Sequence, residues 1–283
     1  TEVRFDPGLD ADSFSLDGSS HPAMVRRVRH CLGLFRERLD GVPHAAVTSR
    51  NDFPTGAGLA SSASGFAALV VAVDRALASD LDESALGEIA RRCSGSAPRS
   101  LHGGFVELGF VPGSDRMETF VRQLVEPERW PLEMVIAITS DEEKAIGSTE
   151  GMIHTAATSP YYREWVTASD DAIDHARRAI VGRDFDSLAE LAEARCLGMH
   201  AVMMAARPGL LYWNGTTVEC IHRLRELRRS GVGVFFTIDA GPQVKAVCVP
   251  EAVGTVRSAL AEIAGVSRLL VCGLGRGARA VEA

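Results

Sequence analysis

The stretch that says most about the fold is Pro54-Thr-Gly-Ala-Gly-Leu-Ala-Ser-Ser-Ala63. Its two glycines let the backbone approach a ligand closely, and it leads directly into an Ala/Ser-rich segment that we predict to be a long helix. The start of a helix offers unpaired N–H groups and a partial positive charge, which together favour phosphate. The stretch is not a Walker loop, because it does not end in Gly-Lys-Ser or Gly-Lys-Thr. The stretch therefore indicates either a different phosphate-binding loop or a glycine-containing turn before a packing helix.

The residues on either side of this loop predict a mixture of strands and helices. Apolar and alternating segments predict strands at 1–5, 13–16, 44–49, 104–110, 132–139, 232–238, 244–249 and 268–272. Helical periodicity predicts a helix that starts at Pro22 and includes Phe35, and further helices at 59–78, 82–93, 160–181, 185–204, 216–228 and 250–263. Strands cluster near both ends of the chain, around central helices. This order favours an α+β fold, with sheets that have helices packed on one face.

Composition excludes several classes of protein. The chain has 283 residues, of which 46% are hydrophobic, so it suits one large domain or two closely packed lobes and not a disordered chain. Its formal net charge of −7 argues against a nucleic-acid partner. The most apolar run, 66–73, is too short to cross a bilayer, and we expect no membrane partner.

The cysteines and histidines predict neither disulfides nor a protein-ligated zinc or iron site. The six cysteines are far apart, and no Cys-x-x-Cys or His-x-x-x-His pattern occurs. One pair with helical spacing, Glu219 and His222, is too little for a di-iron centre. We expect free thiols in a reducing cytoplasm.

Four stretches, taken in order, resemble one enzyme family. The motif that begins at Pro54 resembles the phosphate loop of the GHMP kinase superfamily, and the wider stretch 51–65 resembles that of the diphosphomevalonate decarboxylases. The stretches Ser-Gly-Ser-Ala-Pro-Arg-Ser-Leu-His-Gly-Gly-Phe at 94–105, Gly-Ser-Thr-Glu-Gly-Met at 147–152 and Thr-Ile-Asp-Ala-Gly-Pro at 237–242 agree with the same family, as does the tail 271–277. The resemblance covers nearly the whole chain. It implies a GHMP kinase-like two-lobed fold, with an N-terminal lobe at 1–140 and a C-terminal lobe at 141–283.

The resemblance also implies an activity in the mevalonate pathway of isoprenoid biosynthesis. An enzyme of this family uses ATP and Mg²⁺ to phosphorylate the 3-hydroxyl of mevalonate 5-diphosphate, and loss of phosphate and CO₂ then gives isopentenyl diphosphate. It would be a cytoplasmic homodimer with a small-molecule substrate. Three alternatives stay open: a phosphomevalonate decarboxylase, a mevalonate 3-kinase-like enzyme that does not decarboxylate, and a non-catalytic homologue that binds nucleotide or a partner.

Two residues are candidates for the chemistry. Asp239 follows an apolar strand and precedes Ala-Gly-Pro, where a carboxylate either accepts a proton or forms a turn. Arg99 lies in a Gly/Ser loop, where its guanidinium either clamps a carboxylate or phosphate or is simply solvated. The resemblance implies that Asp239 is the catalytic base. It also implies that Arg99 contacts the substrate near its carboxylate and the catalytic aspartate.

The binding residues follow from the same resemblance. ATP would be held by Pro54, Gly56, Ala57, Gly58, Leu59, Ala60, Ser61 and Ser62, and the hydroxyls of Ser61 and Ser62 would reach the Mg²⁺ on its phosphates. The substrate diphosphate would be held by Ser94, Gly95, Ser96, Arg99 and Ser148. Helix capping explains any one of these serines, but it does not explain the whole set.

The chain also departs from the family pattern. His102 stands where the family usually has tyrosine, and Asp52 stands where it usually has asparagine and adds negative charge beside the expected triphosphate. The family's opening segment, with its Tyr-Trp-Gly-Lys-like run for substrate phosphates, does not occur in the 283 residues. We therefore expect the natural protein to carry a few dozen further residues before Thr1, and a version that starts at Thr1 to be poorly soluble or almost inactive.

Overall fold

The computed structural model describes residues 1–53, 59–111, 119–142 and 145–281. These residues form two compact units. The first contains the described residues within 1–55, 60–123 and 275–283, and the second contains those within 56–59 and 124–274. The predicted lobe boundary at residue 140 stays a prediction. The predicted mixture of sheets and helices, an α+β fold, is confirmed.

The first unit contains a three-stranded sheet packed against three helices. Its strands are β1 (Glu2–Phe5), β2 (Ser13–Leu16) and β3 (Ala45–Ser49), in the order β1-β3-β2. β3 pairs antiparallel with β1 and parallel with β2. The helices are α1 (Pro22–Arg36), α2 (Ser61–Leu77) and α3 (Glu83–Cys93). Two of these helices begin where the sequence favours a start: Pro22 opens α1, and the Asp82 side chain caps α3 by accepting from the Ala85 N–H at 2.8 Å.

Apolar side chains from these elements form one core. Among its fully buried members are Cys31, Leu32, Phe35, Ala45, Val70, Val73, Ile89 and Ala90. A buried ion pair ties α1 to the sheet, because Asp12 accepts two 2.8 Å hydrogen bonds from Arg36 and one of 2.9 Å from the Ala45 N–H. Arg27 fastens the helices together: it lies 4.6 Å from the ring centre of Phe66 and donates to the Cys93 carbonyl at 3.1 Å. The segment after α3 therefore starts from a fixed point.

A second pair of strands follows in the chain. β4 (Phe105–Phe110) and β5 (Thr119–Val125) are hydrogen-bonded neighbours. Gly109 is required here, since a Cβ at this position would lie 2.6 Å from the Phe120 ring. A short 3₁₀ helix, Ala97–Leu101, connects α3 to β4.

The second unit contains a four-stranded antiparallel sheet. Its strands are β6 (Glu133–Ile138), β7 (Val234–Thr237), β8 (Val244–Cys248) and β9 (Arg268–Gly273), in the order β7-β8-β6-β9. The helices of this unit are α4 (Ser148–Thr158), α5 (Tyr162–Thr167), α6 (Ser169–Gly182), α7 (Phe185–Met204), α8 (Gly215–Arg229) and α9 (Val253–Ala261). Its core includes Val135, Ile221, Leu224, Phe236, Val244 and Leu260. Every residue of β8 is buried, as expected for an interior strand.

Three differences between the predicted and the observed α-helices and strands are larger than shifts at their ends. The helix predicted at 160–181 is wrong as a single helix, because it divides into α5 and α6 at Ala168. The hydroxyls of Thr167 and Ser169 each donate to the backbone carbonyl four residues earlier, at 3.1 and 2.9 Å, and such bonds bend helices. β5 and α4 are not predicted from the sequence. In the described ranges, no helix has an apolar stretch long enough to cross a bilayer.

Candidate active site

Asp239 stands at the end of a buried strand with its side chain exposed. β7 ends at Thr237, Ile238 is 1% exposed, and the Asp239 side chain is 58% exposed. This is the arrangement that the sequence predicted for a strand end followed by Ala-Gly-Pro. An aspartate in this position is available to a ligand from solvent, while the residues before it are fixed in the core.

Lys245 forms an ion pair with Asp239. Its Nζ lies 2.9 Å from Asp239 Oδ2. The lysine belongs to β8, directly opposite Thr237 in the antiparallel register, and its side chain is only 10% exposed. Buried lysines are rare unless they are paired. The ion pair with Asp239 therefore accounts for the burial of Lys245 at this strand end. Lys245 is not among the residues predicted from the sequence; its available signal is a lysine inside the apolar run Val-Lys-Ala-Val-Cys.

Two side chains of α7 hold the backbone of Ile238, the residue just before Asp239. The Ile238 N–H donates to Cys196 Sγ at 3.2 Å, and the Ile238 carbonyl lies 3.2 Å from His200 Nε2. Cys196 and His200 are four residues apart, so they face the same side of the helix. Burial raises the pKa of the Cys196 thiol to about 11 and lowers the pKa of His200 below its usual value. We therefore assign a neutral imidazole that donates its Nε2 proton to the Ile238 carbonyl.

The loop after Asp239 is also fixed. Gln243 is 1% exposed; its carbonyl oxygen accepts from the Thr139 N–H at 2.7 Å, and its amide donates to the Ser140 carbonyl at 2.7 Å. The Pro242 carbonyl accepts from the hydroxyls of Thr139 and Thr217 at 2.9 and 2.8 Å. Buried polar groups that are fully paired in this way specify one conformation. Asp239 thus lies between two segments whose backbone is held from both sides.

Ser148 is the first residue of α4 and is exposed. Tyr212 holds this helix near its start: its hydroxyl donates to the Ile146 carbonyl at 3.3 Å and packs over Gly151. A Cβ on Gly151 would clash with that hydroxyl, so the close approach requires glycine. The N-terminus of α4 is therefore presented to solvent with a hydroxyl on its first residue, as a phosphate site needs.

In the first unit, α2 begins at Ser61, directly after Ala60. Ala60 has a left-handed conformation with φ of 56°, which turns the chain sharply into the helix. Ser62 is exposed, and its Oγ lies 3.3 Å from the Oγ of Ser94. The structure thus brings together one serine assigned to ATP and one assigned to the substrate diphosphate. Leu59 is half-buried immediately before Ala60.

The segment Ser94-Gly95-Ser96 forms a turn that leads into the 3₁₀ helix carrying Arg99. The Ala97 N–H donates to the Ser94 carbonyl at 2.9 Å, and the Arg99 N–H donates to the Ser96 carbonyl at 3.3 Å. Ala97 is fully buried and Pro98 is buried too, whereas Arg99 is exposed. The two buried residues anchor the short helix and direct the arginine away from the core.

The other predicted positions are as follows. Pro54, Gly56, Ala57 and Gly58 lie outside the described residues. Of the two departures from the family, Asp52 is exposed, and His102 Nδ1 lies 3.2 Å from Glu83 Oε1.

Among the side chains that the structure describes, no three His, Cys, Asp or Glu residues are grouped so that they could hold a metal ion.

Two family models match this chain. The model described as Diphosphomevalonate decarboxylase-like N-terminal domain matches residues 1–118, and the model described as Mevalonate 5-diphosphate decarboxylase C-terminal domain matches residues 134–269. The diphosphomevalonate decarboxylase of Candida albicans is 35% identical over 257 residues, which cover 86% of this chain and 70% of the relative. Across four fungal relatives of that name, the chain spans 65–70% of their length.

Solved structures agree with the sequence relatives. The mevalonate diphosphate decarboxylase of Enterococcus faecalis, in a study of ATP binding mediated by mevalonate diphosphate, is 33% identical. It superposes with a TM-score of 0.86 over 97% of this chain and 84% of its own. A structure described as MDDEF with MVAPP, AMPPCP and magnesium has a TM-score of 0.87, 33% identity and the same coverage. The two family models, the relatives and the shared fold establish that the chain belongs to the diphosphomevalonate decarboxylase family.

Proposed function

We propose that this chain catalyses the ATP- and Mg²⁺-dependent decarboxylation of mevalonate 5-diphosphate to isopentenyl diphosphate, with release of ADP, phosphate and CO₂. The observation that carries the proposal is the exposed carboxylate of Asp239, held 2.9 Å from the buried Lys245 at the end of β7. The relatives of that name and the structure with MVAPP, AMPPCP and magnesium support the substrate, the nucleotide and the metal.

Asp239 accepts the proton of the 3-hydroxyl. The fixed backbone of Ile238 limits where the Asp239 carboxylate points. As the hydroxyl oxygen bonds to the γ-phosphorus of ATP, its proton moves to the carboxylate and ADP leaves. The C3–O bond then breaks and releases phosphate. The electron pair of the bond between C2 and the carboxyl carbon forms the new double bond, and CO₂ departs.

Arg99 binds the substrate carboxylate in this proposal. Its exposed position on an anchored 3₁₀ helix supports that role, since a guanidinium donates two parallel hydrogen bonds to a carboxylate. Ser94, Gly95 and Ser96 supply hydroxyl and N–H donors for the diphosphate, as does Ser148 from the start of α4.

The start of α2 fits a nucleotide phosphate. It begins a 17-residue helix whose N-terminal end carries a partial positive charge that favours an anion, and Ser62 carries an exposed hydroxyl. We propose that Ser61 and Ser62 hold the phosphates of ATP and the attached Mg²⁺. When bound, Mg²⁺ neutralises charge that develops on the phosphate oxygens.

A substrate panel tests the proposal. The protein is incubated with ATP, Mg²⁺ and, separately, mevalonate, its 5-phosphate and its 5-diphosphate, and both CO₂ and ADP are measured. We expect CO₂ and ADP from the diphosphate. CO₂ from the monophosphate alone would make it a phosphomevalonate decarboxylase, ADP without CO₂ would make it a 3-kinase, and neither product would indicate a non-catalytic homologue.

We also propose a cytoplasmic homodimer. The resemblance to the family supports the dimer, and six free cysteines, five of them buried, support a reducing compartment. Light scattering of the purified protein tests the first point: a mass of one chain at micromolar concentration would contradict it.

A further inference from the structure

The tail of the chain lies along the segment that follows Arg99. After β9 the chain returns to the first unit, where the Gly104 N–H donates to the Gly275 carbonyl at 2.8 Å. The Ala278 N–H donates to the Ser100 carbonyl at 2.9 Å. The segments 100–104 and 275–278 therefore run antiparallel, and one of the two bonds is made by the residue next to Arg99.

Two glycines let these backbones come so close. A Cβ on Gly277 would lie 2.6 Å from the carbonyl carbon of His102, and a Cβ on Gly103 would lie 2.7 Å from the carbonyl carbon of Arg276. Each glycine thus faces backbone atoms of the opposite segment, which cannot move aside as the end of a side chain can. Gly277 also has φ of +82°, a conformation that other residues rarely adopt. A side chain at either position would separate the two segments.

The segment has further supports on its other sides. Gln123 of β5 donates to the Gly103 carbonyl at 2.8 Å, and His102 contacts Glu83 of α3. These contacts hold residues 102 and 103, whereas Ser100, next to Arg99, accepts its bond from the tail. The tail therefore makes a backbone hydrogen bond to the residue that directly follows Arg99.

We propose that the tail residues Arg276–Ala278 are a positioning element for Arg99, and that Gly103 and Gly277 set the distance at which it acts. The inference rests on the proposed role of Arg99 in binding the substrate carboxylate. It assigns a function to residues of the C-terminal tail that contribute no side chain to the chemistry.

The test compares two glycines of the same tail in the full enzyme. Gly277→Ala should lower kcat/KM for mevalonate 5-diphosphate by roughly tenfold or more, since small displacements of a binding group are costly, while KM for ATP stays within about threefold. Gly275→Ala is the matched control, because a Cβ there meets nothing within 4 Å and its φ is not left-handed. It should stay within about twofold of the native enzyme. Native kinetics in Gly277→Ala, or an equal loss in both variants, would overturn the proposal.

A double-mutant cycle asks whether the tail acts through Arg99. If it does, Gly277→Ala should add little to the loss caused by Arg99→Ala, because the group it positions is already gone. Fully additive losses would overturn the inference and leave the role of Arg99 intact. A harmless Arg99→Ala would instead refute both that role and the tail's action through it.

A milder variant covers the case in which Gly277→Ala does not fold. Ala278→Pro removes the N–H that donates to the Ser100 carbonyl, adds no Cβ at residue 277 and fixes φ of residue 278. It should show the same fall in kcat/KM for mevalonate 5-diphosphate with little change in KM for ATP, together with faster amide exchange in a peptide covering 97–104. A folded Ala278→Pro enzyme with native kinetics would contradict the proposal.

Discussion

The strand end that carries Asp239 and the short helix that carries Arg99 are both held in place, but by different kinds of contact. Around Asp239 the contacts come from side chains: Lys245 on the carboxylate, and Cys196 and His200 on the preceding peptide. Beyond Arg99, the contacts come from the backbone: hydrogen bonds join the segment to the tail, and at two glycines the segments lie too close to leave room for a Cβ. Truncating a side chain should therefore lower the activity when it is done around Asp239. Adding a side chain should lower the activity when it is done at the two glycines beyond Arg99.

The largest effect is expected at the carboxylate itself. Asp239→Asn keeps the shape of the side chain but cannot accept a proton, so kcat should fall by on the order of 10²-fold or more. Nucleotide binding and the melting temperature should stay near native. Retention of more than about a tenth of the native rate would remove Asp239 from the role of base.

Arg99→Lys should come second. The lysine keeps the charge but cannot form the planar two-point contact. Loss of one charge-assisted hydrogen bond costs about 1.5–3 kcal/mol, which corresponds to roughly tenfold to hundredfold in kcat/KM. Steady-state kinetics with varied mevalonate 5-diphosphate measure this. A native kcat and KM would show that Arg99 is only a surface residue.

Lys245→Met tests whether the buried cation orients Asp239. Methionine occupies a similar apolar path along β8 but leaves the carboxylate without this partner, so kcat should fall by on the order of tenfold while KM for either substrate changes little. The exposed Lys/Arg side chains of the same unit provide the comparison: Arg257→Met, at an exposed position of α9, should leave kcat unchanged. An unchanged kcat in Lys245→Met would contradict the account.

The sequence identified the two catalytic candidates but not what holds them. Asp239 and Arg99 are candidates because they lie in short local motifs, a strand end before Ala-Gly-Pro and a Gly/Ser loop, that resemble those of the family. Lys245, Cys196 and His200 act across distances of 6 to more than 40 residues along the chain. Their partners are decided by strand register and helix packing, which local spacing does not encode.

The tail is a similar case. Its glycines are visible in the sequence, but nothing local indicates that Gly277 lies against His102. Elements with strong local signals, such as α3 with its Asp82 cap and α7 with its Asp184 cap, were predicted close to their observed ends. By contrast, the break between α5 and α6 depends on hydroxyl bonds that periodicity does not reveal.

Ser61→Ala and Ser62→Ala, tested separately, should have smaller effects. Each removes one hydroxyl at the start of α2, and a single hydrogen bond contributes about 0.5–1.5 kcal/mol, so KM for ATP or the Mg²⁺ requirement should rise a few-fold. KM for mevalonate 5-diphosphate should change less. If both variants keep native ATP and Mg²⁺ dependence, the start of α2 is only a packing helix.

The smallest effect concerns stability against pH. Burial lowers the pKa of His200, so the unfolded chain binds its proton more readily than the folded protein does. The free energy of unfolding should therefore fall as the pH drops below about 6.5, by about 1.4 kcal/mol for each unit of pKa difference. In His200→Gln this part of the pH dependence should disappear. Urea unfolding of the native protein and of His200→Gln between pH 7.5 and 5 measures this difference. If the free energy of unfolding changes with pH equally in both proteins, the prediction is contradicted.

The most direct test of the account follows CO₂ and ADP in the same reaction. With mevalonate 5-diphosphate, ATP and Mg²⁺, the native enzyme should release one CO₂ for each ADP, because decarboxylation follows phosphoryl transfer to the 3-hydroxyl. In Asp239→Asn both products should fall together, since the proton must leave before either forms. ADP formation at the native rate without CO₂ in that variant would contradict the central claim that Asp239 is the base for phosphoryl transfer.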